Sequence, residues 1–225
     1  MTKIDLKKSS GLSLVYDGEQ LTSPDLSFNE SLTFTVDEMR PQLLNKDLTS
    51  PDVFYLKYRT LDQDGIYEKK NLRLNVYVIP ANLAGIEYVK TKASRIAKYP
   101  RILEVVHGSA TLMMQDYKES EEGDIVITSV KKHQKAVIPG NYVMSLINPR
   151  STPLIVTEVL NLSARESMIL DEMGGMSYYV IRKNAKQEVV RNPAYKFARK
   201  PRRVNVEKIA DELNITLKTP LIKQI

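Results

Sequence analysis

The chain has 225 residues, a formal net charge of +6 and no cysteine, which excludes disulfides, thiolate metal sites and cysteine nucleophiles. Its length suffices to bury a sizeable core. No stretch approaches the roughly 18 continuous apolar residues that a membrane-spanning helix needs, and the basic start MTKIDLKKSS is not followed by an apolar run. We therefore expect a soluble, cytoplasmic protein with no membrane partner.

The positive charge is concentrated in residues 182–203, called the basic segment here. This segment holds nine basic residues and a single acidic one, Glu188, so it carries +8 and leaves −2 for the rest of the chain. A run of this kind is either a solvated face or a contact surface for a polyanion.

Alternating apolar residues predict short strands along most of the chain. The first lie in GLSLVYDG and SLTFTVDE, and ten more follow from FYLKYRT to MSYYVIRK, separated by turn residues such as Asp64-Gly65 and Pro139-Gly140. VDEMRPQLLNKD predicts a helix that Pro41 keeps short or interrupted. Many short strands with hardly a helix between them indicate an all-β double-sheet sandwich or barrel of the jelly-roll type.

The composition changes after Val190. We predict a β domain over residues 1–190, a basic linker or wrapping segment over 191–203, called the basic arm here, and a helical tail over 204–225. The tail has Asn205 as a helix N-cap, and apolar residues follow it at helical spacing. These apolar residues are Val206, Ile209, Ala210 and Leu213.

The tail also resembles the first two-thirds of a helix-turn-helix, with Ala210 at the tight helix contact, Asn214 at the turn and Thr216 as a cap. Pro220 opposes a complete second helix. The other interpretation is a helix that docks on the β domain or on a neighbouring molecule.

Three stretches resemble a known family: EYVKTKASRIAKYPRILEVVHGSATLMMQ, VIPGNYVMSLINPRSTPLIV, and GGMSYYVIRKN with the later EVVRNPAYK. In this order they are similar to the cupin-type glucose-6-phosphate isomerases of archaea over roughly residues 10–197, with Thr91, Gly108, Pro139 and Asn148 setting the register. The resemblance implies a cupin double-stranded β-barrel and a homodimer. It also implies one divalent metal, held by three histidines and a glutamate, that serves the interconversion of an aldose phosphate and its ketose.

This chain departs from the family at all four implied metal-ligand positions, which hold Ser94, Ile96, Arg101 and Met144. The whole chain contains only two histidines, His107 and His133, so a three-histidine site is impossible. We therefore predict a degenerate site with no metal, no cofactor and no catalytic residues of the family type.

Arg101 places a cation where the resemblance puts the metal. A buried cation needs an anionic partner, so Arg101 either turns outward or pairs with an acid such as Glu104 or Glu158. Alternatively it holds a sugar phosphate bidentately, together with Thr91, the one substrate-contact residue of the family that is retained. The family's other sugar contacts are replaced here, by Asn141 and by residues 165–168.

Two classes of function follow. In the first, the chain is an isomerase-like pseudoenzyme that binds RNA, DNA or a ribosome. Its predicted phosphate contacts are Lys196, Arg199, Lys200, Arg202 and Arg203. In the second, it is still a glucose-6-phosphate isomerase or a sugar-phosphate sensor that uses Thr91 and Arg101. The residue inventory favours the first class.

Overall fold

The computed structural model describes residues 3–117, 123–216 and 218–224, and antiparallel strands dominate it. These residues form eighteen strands in four sheets. Within the same ranges, no helix is both long enough and apolar enough to cross a membrane. The all-β prediction is confirmed.

The largest sheet has six antiparallel strands. In spatial order they are β13 (Lys135–Ile138), β10 (Arg101–His107), β15 (Leu154–Asn161), β6 (Leu72–Ile79), β5 (Val53–Asp62) and β4 (Ser27–Thr35). The second sheet has five antiparallel strands. Its order is β12 (Ile125–Lys131), β11 (Ser109–Asp116), β14 (Tyr142–Ile147), β9 (Ser94–Ile96) and β16 (Glu166–Met168).

The other regular elements of the described residues are two smaller sheets, four short α-helices and two 3-10 turns. The three-stranded sheet has the order β1 (Ile4–Asp5), β2 (Val15–Tyr16) and β3 (Leu21–Thr22). The four-stranded sheet has the order β18 (Lys186–Arg191), β17 (Tyr178–Lys183), β8 (Glu87–Tyr88) and β7 (Leu83–Ala84). The α-helices are α1 (Lys7–Ser10), α2 (Val36–Met39), α3 (Ile66–Lys69) and α4 (Val206–Glu212). Single 3-10 turns cover Arg40–Gln42 and Leu221–Lys223.

The main core lies between the two large sheets. Successive side chains of a strand point to opposite faces, so Leu103 and Val156 of the six-stranded sheet meet Leu112 and Met144 of the five-stranded sheet. In the described part of the chain, no strand pairing joins these sheets into a closed barrel. The cupin-like jelly roll is therefore present as two facing sheets.

The helix predicted from VDEMRPQLLNKD is short, as Pro41 requires. α2 begins with a capping box, in which Glu38 Oε2 accepts a hydrogen bond from the Thr35 backbone N–H at 2.8 Å. A 3-10 turn containing Pro41 follows directly. Val36 and Met39 of α2 pack into the main core, so burial stabilises a helix too short to form alone.

The predicted tail helix is confirmed as α4. The Asn205 side chain caps it by accepting hydrogen bonds from the backbone N–H groups of Glu207 and Lys208 at 3.0 and 3.2 Å. Val206 packs into the main core and α4 lies against β13. The tail therefore docks on the β domain itself.

The helix-turn-helix interpretation of the tail is wrong. Asn214 does make a turn, with φ at 57°. Between that turn and residue 224, however, the described residues form only the 3-10 turn that begins after Pro220. Leu221 of this turn packs with Leu6 and Leu14 in a second core on the outer face of the six-stranded sheet. Burial of the tail on that sheet replaces a second recognition helix.

Candidate active site and basic arm

Strands β9, β10 and β14 bring together three of the four positions at which the resemblance implies metal ligands. Ser94 lies opposite Met144 across the β9–β14 pair. Arg101, at the start of β10, donates from Nη1 to Ser94 Oγ at 3.1 Å and from Nη2 to the Ser94 carbonyl at 3.2 Å. Ile96 packs instead in a small apolar cluster with Leu160. The side chains at all four of these positions are buried.

Arg101 belongs to a buried set of ion pairs formed with Lys57, Glu158 and Glu166, called the Arg101 cluster here. Arg101 Nη1 lies 3.2 Å from Glu158 Oε1 and 3.4 Å from Glu166 Oε1. Lys57 Nζ pairs with the other carboxylate oxygen of Glu166. Two cations balance two carboxylates, and none of the four side chains is more than 9% exposed. Because each charge has a partner, the large cost of burying an isolated charge is avoided.

Polar neighbours satisfy the remaining oxygen of Glu158. Asn75 Nδ2 and the Tyr77 hydroxyl donate to Glu158 Oε2 at 2.7 and 3.0 Å. Burial raises the pKa of Tyr77, and the charge of Glu158 raises it further. The Tyr77 hydroxyl therefore keeps its proton and remains a donor.

The sheet order explains why this cluster forms. Glu158 of β15 lies directly opposite Asn75 of β6, and Lys57 of β5 lies opposite Tyr77 of β6. Glu166 comes from β16 of the other large sheet, so the Arg101 cluster ties the two sheets together by charge.

Sequence reasoning missed Lys57 and Asn75. The available signal was their position in the alternation of each strand. Lys57 is two residues from the buried Tyr55, and Asn75 is two residues from the buried Tyr77. Residues two apart on a strand share a face, so both side chains point inward. A polar residue in phase with buried aromatic residues predicts a buried polar contact, but pattern alone does not say with which strand.

The carboxyl of Glu166 makes the stability of this cluster sensitive to acid. Burial by itself would raise the pKa of Glu166, but the charges of Lys57 and Arg101 outweigh burial and lower the pKa to about 2 from 4.5. A carboxyl whose pKa is lower in the folded state stabilises the fold fully above its unfolded pKa, and this stabilisation is lost as the pH falls through the folded pKa. We expect the free energy of unfolding to drop by up to about 3 kcal/mol between about pH 5 and pH 2.

Urea unfolding at a series of pH values measures this drop. The Glu166→Gln variant is expected to show a flatter pH dependence in the same window, because its amide does not titrate. A variant as acid-sensitive as the parent protein would contradict this assignment to Glu166.

The residues at this place do not fit the divalent metal that the resemblance implies. The Arg101 guanidinium has no lone pair to donate and repels a second cation, and the Ile96 side chain has no donor atom. Within residues 3–117, 123–216 and 218–224, no three His, Cys, Asp or Glu side chains gather as a metal-binding group. His107 ends β10, about 20 Å along the strand from Arg101, and His133 occupies a turn with φ at 70°.

Thr91 and Arg101, the predicted substrate contacts, are only 2% and 1% exposed. Thr91 Oγ1 accepts a hydrogen bond from the Leu146 backbone N–H at 3.0 Å, which attaches this segment to β14. Neither side chain has a free face for a ligand in this arrangement, and substrate contact by them stays a prediction.

Of the alternatives open for Arg101, pairing with Glu158 is confirmed. The outward orientation and the pairing with Glu104 are wrong. Residues 101 and 104 lie on opposite faces of β10 because side chains alternate along a strand. Glu104 faces away from the main core and pairs with the buried Lys135 at 2.9 Å.

The basic arm is attached to the β domain along its length. The Asn192 side-chain amide donates to three backbone carbonyls of residues 173–176 at 2.9–3.3 Å. The Tyr195 hydroxyl donates to the Gly175 carbonyl at 2.9 Å. Arg202 forms a parallel backbone bridge with Val126 of β12. The arm therefore wraps the edge of the five-stranded sheet.

All five predicted phosphate contacts are exposed, namely Lys196, Arg199, Lys200, Arg202 and Arg203. Arg202 differs from the rest because its Nε and Nη2 atoms bond to Asp124 at 2.8 and 2.6 Å. Hydrogen bonding from Arg202 lowers the pKa of Asp124. The other four cations make no salt bridge within the described residues, so their charges remain available.

The solved structures that match this chain include three with a TM-score of 0.43. A cupin-2 domain protein from Rhodospirillum rubrum is 11% identical, over 67% of this chain and 80% of that chain. A recombinant oxalate oxidase in complex with glycolate is 11% identical, over 53% of this chain and 57% of that chain. The vicilin from Solanum melongena is 12% identical, over 55% of this chain and 33% of that chain. This chain spans 47% and 56% of the first two solved structures it matches. Among curated proteins, none matches the sequence significantly.

The model of one protein family, glucose-6-phosphate isomerase (GPI), matches residues 31–197. This range is well over half of the 225 residues. It contains nearly all of both large sheets, the whole Arg101 cluster and the first residues of the basic arm. The chain therefore belongs to the glucose-6-phosphate isomerase (GPI) family, in its cupin-type form.

Proposed function

We propose that this chain is a catalytically degenerate member of its family that acts as a binding protein, with nucleic acid or the ribosome as the partner of its basic arm. The observation that carries the proposal is the Arg101 cluster, in which a buried guanidinium lies where the resemblance implies a metal. The partner implies a cytoplasmic protein, and the family resemblance implies a homodimer.

The state of the carboxylates supports the loss of catalysis. Aldose–ketose isomerisation needs a base whose pKa lies near the working pH, and the pKa of Glu166 is lowered to about 2. Glu158 is bonded on both oxygens, to Arg101 on one and to Asn75 and Tyr77 on the other. Carboxylates held in this way stabilise cations rather than abstract protons.

The exposed cations of the basic arm support a polyanionic partner. Lysine and arginine side chains contact phosphates without base specificity. Their binding releases the counterions that were condensed on the nucleic acid. Because Arg202 is engaged with Asp124, we assign the phosphate contacts chiefly to the other four cations. The arm is anchored at Tyr195 and at Arg202, so these charges are presented from a fixed backbone.

The test uses point substitutions, because removing residues 191–225 would strip buried side chains such as Tyr195, Val206 and Leu221 from the fold. The arm variant combines Lys196→Gln, Arg199→Gln, Lys200→Gln and Arg203→Gln. We expect fluorescence anisotropy to show binding of a labelled 20-nucleotide single-stranded RNA by the parent protein at low salt. We expect the arm variant to bind about tenfold to 100-fold more weakly, with a log–log salt slope smaller by up to about 3, at roughly 0.7 per lost contact.

A matched control removes the same charge elsewhere, through Lys7→Gln, Lys8→Gln, Lys46→Gln and Lys69→Gln on exposed positions. The control is expected to retain most of the affinity. Equal losses of RNA affinity in both variants would show that the effect comes from net charge and not from the basic arm. Absence of RNA binding by the parent protein would overturn the nucleic-acid proposal.

Family membership favours a second candidate, a glucose-6-phosphate isomerase or sugar-phosphate sensor with a rebuilt pocket. Thr91 and Arg101 would be its contacts, and both are buried. A coupled assay for fructose 6-phosphate isomerisation, with and without added divalent metal, separates the two candidates. Turnover that a chelator abolishes would favour the enzyme and overturn the degenerate-site proposal.

A further inference from the structure

A cleft of about 570 Å³ lies where the basic arm passes the β17–β18 hairpin and the loop after β14. Its cations are Arg150 of that loop and Lys200 and Arg203 of the arm. No acidic side chain lines the cleft, and these three cations make no salt bridge in the described part of the chain. Among the residues that the structure describes, these charges are therefore unopposed and meet at one place.

A second cleft of about 520 Å³ shares Arg150 with the first and adds Arg182 of β17. Arg150 thus lies at the junction of the two clefts. Together they form a basic path from the arm across the loop to the hairpin, which suits a linear anion longer than a single phosphate.

The wall of the first cleft is partly apolar and aromatic, because Tyr178 and Val189 of the hairpin line it. The Tyr178 hydroxyl donates to the Arg199 carbonyl at 3.1 Å, which orients its ring relative to the arm. Gln187, also in the lining, exchanges side-chain hydrogen bonds with Thr111 at 3.0–3.2 Å. An aromatic wall beside converging cations is the combination that binds a base and its phosphates.

We infer that this cleft binds one nucleotide of a single-stranded nucleic acid, with the base against Tyr178 and Val189 and the phosphates on Arg150, Lys200 and Arg203. The next phosphate lies toward Arg182. This inference rests on the proposed function and deepens it by naming the site and the strand state. A duplex does not fit, because its bases are stacked and paired inside the helix and do not reach the wall of the cleft.

Arg150→Gln tests the cleft independently of the arm, since Arg150 lies outside the basic segment and is exposed. We expect the variant to bind the single-stranded RNA about three- to tenfold more weakly, with a salt slope smaller by about 0.7. Arg165→Gln, an exposed arginine of another loop, is the matched control and is expected to bind like the parent protein. The duplex of the same sequence is expected to bind more weakly than the single strand.

Cross-linking locates the base without relying on affinity. RNA that contains 4-thiouridine is irradiated with the parent protein and the trypsin-cleaved peptides are identified by mass spectrometry. We expect the cross-link in peptide 166–182, which contains Tyr178, and its loss in the presence of excess unlabelled RNA.

The outcomes separate this inference from the proposed function. One outcome would overturn the cleft and leave the proposed function standing. In that outcome the arm variant loses RNA binding, Arg150→Gln binds like the parent protein, and cross-links form only in peptide 197–199 around Phe197. Equal affinity for inorganic polyphosphate of the same charge would overturn base recognition. Absence of RNA binding by the parent protein would overturn both.

Discussion

Replacing Arg101 with methionine is expected to lower the free energy of unfolding by about 3–5 kcal/mol. The guanidinium is 1% exposed and contacts Ser94, Glu158 and Glu166. Without it, two carboxylates remain in the interior with only Lys57 to balance them. An uncompensated buried charge costs far more than an exposed one, because the surrounding protein solvates it poorly.

Urea unfolding followed by circular dichroism measures this loss, since the chain has no tryptophan. The double variant Arg101→Met with Glu158→Gln restores charge balance, and we expect it to recover a large part of the lost stability. A single variant that loses less than about 1 kcal/mol would show that Arg101 is not a buried ion-pair partner. A double variant no more stable than the single one would assign the loss to packing instead of charge.

Replacing Lys135 with methionine is expected to have a similar cost, about 3–5 kcal/mol, and to release the C-terminal tail. Lys135 is fully buried, pairs with Glu104 at 2.9 Å and donates to the Thr219 carbonyl at 2.9 Å. The Leu221 backbone N–H donates to Glu104 at 2.6 Å. One buried ion pair thus holds residues 219–221 against β10 and β13.

Amide hydrogen exchange over residues 218–224 measures the release, alongside urea unfolding. Burial raises the pKa of Glu104 even with Lys135 present, so removing the cation raises the pKa further. Because a raised carboxyl pKa favours the protonated folded state, we expect the destabilisation to shrink as the pH falls toward the unfolded pKa near 4.5. Unchanged exchange in the tail would contradict the anchoring role of the pair, and the double variant with Glu104→Gln controls for packing.

The Arg101 cluster also has its own positive charge at the place where the resemblance implies a metal. The place at which the resemblance implies a cation still holds one, but it is the covalently attached guanidinium of Arg101. The surrounding oxygens of Glu158 and Glu166 therefore remain neutralised without an ion.

The sequence by itself determined the strand pattern, the capped tail helix and which side chains stand at the implied ligand positions. These are local properties: side-chain alternation places Leu103 and Met144 inward, Asn205 caps its own helix, and two histidines are too few for the implied ligand set.

Only the tertiary structure decided which charges meet. Glu104 and Glu158 were equal candidates until the strand faces were known, and Lys57 and Glu166 join Arg101 from strands far apart in the chain. The attachment of the basic arm to β12, and the cleft that Arg150 forms with it, likewise depend on contacts between distant segments. Electrostatic partners are set by distance in space, and a pattern along one strand holds no information about which strand lies beside it.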